Sequence, residues 1–167
     1  MLTTTGITLW SAACGVFDWR KRRIPNVLTA PAMLAGVFYV LAFQATLLGQ
    51  GPWAQVLAGT GLALALALPG YLMSKLGGGD LKMLLAIALL GGTPAVLAAV
   101  LGAGGLALLL LGATLVGRSV AVMHHPLPAP IQRTARAIGS FDLQRIPLGS
   151  GFAAGLIVYT LSLTWPA

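Results

Sequence analysis

The chain has 167 residues, of which 57% are hydrophobic and only 8% charged, and its formal net charge is +7. Soluble domains carry roughly 25% charged residues, so the composition excludes a water-soluble globule and points to an all-α, polytopic membrane protein. The basic excess does not point to nucleic acid. The ten Lys and Arg residues fall only at Arg20–Arg23, at Lys75 and Lys82, and between Arg118 and Arg145; inside loops of a membrane protein carry such clusters, whereas a phosphate-binding face interleaves them with aromatics.

Apolar runs of about the ~20 residues that a bilayer crossing needs recur along the chain, and they lack the inside–outside alternation of barrel strands. The first covers residues 2–18 and precedes the basic stretch "RKRR". A secretory signal has the opposite order, so this run is expected to be a retained span with its N-terminus outside. Cys14, the single cysteine, lies within it and can form neither an intramolecular disulfide nor a zinc cluster. Pro25 and Asn26 break the chain and are expected to cap a second span, 27–48. The uncharged turn "GQGPW" leads to a third span, 54–76, interrupted by Pro69 and Gly70. "LGGGD" turns the chain into a fourth span, 80–91, and "GGTP" turns it again into a fifth, ending at 117. A polar segment, 118–146, precedes the last span, 147–165.

Six spans in one domain, 1–167, put every Lys and Arg in or beside an inside loop and leave both outside turns uncharged, as the positive-inside rule requires. Both termini are then extracytoplasmic. The fourth span has fewer apolar residues than the ~17 of a perpendicular helix. Within the polar segment, Ile131, Ala135 and Ile138 share a helical face, which suits a short interfacial helix drawn to anionic lipid. His124 and His125 are adjacent, so one helix face cannot offer both to a metal, and no metal or other cofactor is expected.

The only acidic residues are Asp18, Asp80 and Asp142, and there is no glutamate. The span assignment puts Asp18 and Asp80 at the inner ends of spans one and four, at one depth. Ionisable groups near lipid are expensive and mark function. Two carboxylates held close share a proton: the ionised one can activate water, and the protonated one can donate to a carbonyl oxygen. That is aspartic-peptidase chemistry. Gly77, Gly78 and Gly79 permit unusual backbone conformations and the close approach of another backbone, such as an extended substrate adding as a strand. Asp142 is expected to pair with Arg136 or Arg145. Lys82 cannot face Asp80 from two positions along a helix and reads as a headgroup anchor.

"GGGDLK" resembles the GxGD motif of the type IV prepilin peptidases, which is similar to that of presenilin-type intramembrane aspartic proteases, and "FDWRKRRIPN" resembles the segment around that family's first catalytic aspartate. "RIPLGSGFAAG" is similar to its closing span. The resemblance implies a GxGD-type intramembrane aspartic protease fold, with Asp18 and Asp80 catalytic and Lys82, Pro25 and Asn26 supporting the motifs. It implies cleavage of prepilins or pseudopilins after a leader glycine at the inner face of the cytoplasmic membrane, with membrane lipids and pilus-assembly machinery as partners. Large members add a cytoplasmic zinc domain with paired CxxC motifs and N-methylate their product. With Cys14 alone, the chain is similar to the minimal members that serve Tad/Flp-type pili or archaeal-type filaments, and methyltransferase activity is not expected. Two other classes fit the composition: a proton- or cation-coupled transporter, whose carboxylates would lie nearer the midplane, and a silent scaffold of a secretion complex, which would not need both aspartates.

Overall fold

The computed structural model describes residues 2–48, 51–122, 133, 134, 138 and 147–164. Five helices carry the chain: α1 (Leu2–Lys21), α2 (Asn26–Phe43), α3 (Trp53–Leu72), α4 (Gly78–Val122) and α5 (Leu148–Thr164). Among the described residues the only other pairing is an isolated antiparallel bridge between Ala45 and Pro52. Asn26–Phe43, Trp53–Leu72 and Gly78–Val120 are long and apolar enough to cross a membrane, and α5 is a shorter apolar helix. Asp18, Arg20 and Lys21 make the C-terminal end of α1 polar.

The helix ends follow local chemistry. After α1, Arg22 adopts φ 51° and its amide returns to the Asp18 carbonyl at 2.8 Å, a left-handed stop. α2 ends the same way at Gln44, whose amide bonds to the Val40 carbonyl. α3 stops at Leu72, four residues short of the expected 76, because the Gly70 carbonyl takes the amides of Lys75 and Leu76 while Ser74 is left-handed.

The expected turn at 91–94 is reduced to one residue. Gly92, with φ 66° and ψ −158°, is the sole break inside α4. Gly59 faces it with no room for a side chain: a Cβ there would lie 2.6 Å from the Gly92 carbonyl carbon. The chain doubles back at this point. The first limb runs from Gly78 to Gly91; along the second, Ala98 and Ala99 face Gly155 while Ala103 faces Gly151, so the limb returns toward the beginning of α5. Pro94 falls in the first turn of the returning limb, where a missing N–H is harmless.

The chain divides into two compact units, Met1–Ala103 with Pro147–Ala167, and Gly104–Ile146. In the first, Met83, Leu84, Ile87, Val96 and Leu156 are fully buried, and α1 packs on α5 through small residues. Gly15 abuts Ala153, the Ser11 hydroxyl donates to the Ala153 carbonyl at 3.1 Å, and the Thr8 and Thr160 hydroxyls meet at 2.8 Å. Small residues and hydroxyls of this kind let helices associate in lipid. In the second unit the described backbone is helical to Val122, and Leu108, Leu109 and Val116 are exposed. Of the expected interfacial helix only residues 133, 134 and 138 are described, all three helical and exposed; the rest of it, with Asp142, His124 and His125, lies outside the described residues.

Candidate active site

Asp18 sits in the last turn but one of α1, yet its residue is only 5% exposed. Its Oδ2 accepts the backbone amide of Ser150 at 2.9 Å and the Ser150 hydroxyl at 3.3 Å. The same hydroxyl lies 3.1 Å from the Gly15 carbonyl. Ser150 is in the first turn of α5, where backbone amides have no partner within the helix. Asp18 therefore caps α5 from another helix.

Asp80 occupies the first turn of α4. The amides of Gly77 and Gly149 reach its carboxylate, and Asp18 is close enough for its charge to act on Asp80. At the beginning of α5, then, the Ser150 amide donates to Asp18 while the neighbouring Gly149 amide lies near Asp80. A side chain at Gly149 would intrude on this arrangement, its Cβ lying 2.9 Å from Asp18 Cγ and 2.8 Å from Ile24 Cδ1.

The two carboxylates line one cavity of about 370 Å³ together with Arg22, Arg23, Ile24, Gly77, Gly78 and Gly79. Among the described residues Gly92 is the one glycine in the left-handed region, so Gly77–Gly79 are not there for unusual dihedrals. Their use is proximity. A Cβ on Gly79 would lie 3.2 Å from the backbone nitrogen of Ile24, and one on Gly77 would lie 3.2 Å from Asp80 Oδ2. The backbone that Gly79 admits is the chain's own "RIPN" segment.

Lys82 Nζ donates to Asn26 Oδ1 at 2.9 Å, joining the beginning of α4 to the beginning of α2. Pro25 holds the N-cap position of α2, as expected, with no side-chain hydrogen bond, while the Asn26 amide oxygen serves Lys82 rather than the helix end. Sequence reasoning did not single out Gly149 and Ser150. The available signal was "LGSG" at the opening of the last span, a hydroxyl between glycines at the depth assigned to both aspartates.

Two carboxyl groups in one cavity can pass protons to and from a water molecule and a carbonyl oxygen. A model of the type IV leader peptidase family matches residues 6–117, a stretch holding Asp18, the "RIPN" segment and Gly77–Lys82. The chain belongs to the type IV leader peptidase family. No curated protein and no solved structure matches it. Membership implies a peptidase, of the aspartic type in this family, acting on prepilin-type substrates, and it accords with the apolar helices of a membrane protein. The match ends before α5, so the contribution of Gly149 and Ser150 to this leader peptidase comes from the structure alone.

Proposed function

We propose that the protein is a membrane-embedded aspartic endopeptidase that removes the short basic leader of prepilins or pseudopilins at the cytoplasmic face of the inner membrane, with Asp18 and Asp80 as its catalytic pair. The observation that carries this reading is that both carboxylates open into one cavity beside the Gly77–Gly79 segment. The working state holds one proton between the two. The ionised aspartate takes a proton from water as the water oxygen attacks the scissile carbonyl carbon, and the other aspartate gives its proton to the carbonyl oxygen. As the tetrahedral intermediate collapses and the C–N bond breaks, the first aspartate gives its proton to the leaving amine while the second takes one from a hydroxyl of the intermediate, which restores the starting, singly protonated pair. No metal or cofactor is needed. The extended substrate lies in the cavity that Gly77–Gly79 line, and Arg22 and Arg23 line the same cavity.

The same reading makes residues 1–167 one transmembrane peptidase domain with six spans: α1, α2, α3, the two limbs of α4, and α5. The cavity and the basic loops are cytoplasmic and both termini extracytoplasmic. The filaments it serves are of the Tad/Flp type. The test is incubation of the purified protein with a prepilin in detergent or nanodiscs, with leader loss read by mass. Cleavage is expected from the wild type and absent from Asp18→Asn and Asp80→Asn. Full activity in either variant would sink the pair, and ion-coupled uptake without cleavage would favour a transporter.

A further inference from the structure

The Ser150 hydroxyl has one hydrogen and two lone pairs, and two oxygens within reach: Asp18 Oδ2 at 3.3 Å and the Gly15 carbonyl at 3.1 Å. The Ser150 amide, by contrast, can only donate to Asp18. An aspartate that shares a proton with a partner spends part of each catalytic cycle ionised and part protonated. While Asp18 is ionised, the hydroxyl donates to Oδ2. When the proton sits on Oδ2, the carboxyl donates to Ser150 Oγ, and the hydroxyl hydrogen turns to the Gly15 carbonyl. Every heavy atom keeps its place in both arrangements. A backbone amide cannot make this exchange because it cannot accept. Bulk water is poorly placed to substitute, since Asp18 is buried.

We propose that Ser150 is a positioning residue that holds the Asp18 carboxyl in place through both of its protonation states, an inference that rests on the catalytic reading of the Asp18–Asp80 pair. Hydrogen bonds to charged groups are among the stronger ones, and misplacing a reacting group by even a fraction of an ångström is costly in rate. The cavity that holds the pair is lined by Asp18, Asp80, Arg22–Ile24 and Gly77–Gly79 and not by Ser150, so substrate binding is not expected to depend on the hydroxyl.

Steady-state cleavage of a prepilin by the full-length protein in nanodiscs tests this with four variants. Ser150→Ala is expected to lower kcat roughly tenfold with KM unchanged. Ser150→Thr restores the hydroxyl and is expected to keep kcat near the wild-type value; its added methyl has space in the cavity of about 400 Å³ between α1 and α5 that Ser150 also lines. Ser150→Cys keeps the size with a weak donor and should resemble the alanine variant, which decides the question even where Ser150→Ala fails to fold. Ser11→Ala removes a different α1–α5 hydrogen bond, that to the Ala153 carbonyl, and should leave kcat intact. Wild-type kcat in Ser150→Ala, equal kcat in Ser150→Cys and Ser150→Thr, or an equal loss in Ser11→Ala would each overturn the proposal. The inactivity of Asp18→Asn, measured alongside, keeps these failures separate: a fully active Asp18→Asn overturns the catalytic reading itself.

Discussion

Gly149→Ala is the smallest change that should disable the site without touching either aspartate. A Cβ there would sit 2.9 Å from both Asp18 Cγ and Oδ2, where ordinary contacts begin at 3.4 Å. The same Cβ meets Ile24 Cδ1 at 2.8 Å, the end of a side chain that is itself buried, so relief in that direction requires Ile24 to repack. The Asp18 carboxyl must therefore withdraw by about half an ångström or more, which stretches its 2.9 Å bond from the Ser150 amide toward the limit of a useful hydrogen bond. A hydrogen bond to a charged acceptor contributes about 1.5–3 kcal/mol, and misplacement on this scale costs up to ~10²-fold in rate. We expect kcat for leader cleavage to fall by one to two orders of magnitude, with a modest drop in the midpoint of thermal unfolding in detergent. Gly61→Ala is the matched control: it lies in α3 with nothing within 4 Å of its Cβ, and should be as active as wild type. A Gly149→Ala protein that cleaves at the wild-type rate would refute the geometry on which the reasoning stands.

Four further outcomes follow from the same picture. Asp142→Asn should cleave normally while Asp18→Asn and Asp80→Asn are inactive; the reverse pattern would assign the wrong pair. Lys82→Ala and Asn26→Ala should each lower cleavage, and the double variant should be no worse than the poorer single one, since both remove one 2.9 Å bond; additive losses would show that the two act separately. Gly92→Ala should lower the unfolding midpoint, because φ 66° with ψ −158° is a conformation confined essentially to glycine and costs alanine about 1–3 kcal/mol, and its Cβ would meet the Gln55 backbone at 3.1 Å; an unchanged midpoint would argue against the tight reversal. In a Cys14→Ser background, a cysteine at position 50 should label from outside the cell and one at Arg20 from the cytoplasm. Cytoplasmic labelling at 50 would refute six spans.

Fold class was legible because its cause is compositional: with so few charges, long apolar runs have nowhere to go but lipid. That Asp18 and Asp80 belong together in one cavity was legible because a carboxylate near hydrocarbon costs too much to be incidental, and their spacing from glycines and basic residues carries a family resemblance. Ser150 was not, because a serine among glycines and alanines reads equally well as helix packing, and its value lies in an acceptor 132 residues away. Asn26 was assigned to its nearest helix end for the same reason, when its partner Lys82 is 56 residues on. Local patterns describe neighbours; these contacts are set by which helices meet. The reversal at Gly92 sits between: "GGTP" announces a turn, but not that a single residue accomplishes it.

The shortness of the first limb of α4 bears on the other reactant of any hydrolysis, which is water. From Gly78 to Gly91 a helix rises about 21 Å, against a hydrocarbon thickness of ~30 Å. In the proposed topology the lipids beside this limb have a hydrophobic mismatch to absorb, and they do so by thinning the bilayer locally. Asp80 lies in the first turn of that limb, so in this topology the aqueous phase is drawn down toward Asp80 by the limb's length. Hydration of the site then needs no dedicated channel, and it varies with acyl-chain length: thick bilayers starve the reaction of its nucleophile while leaving the carboxylates themselves in place.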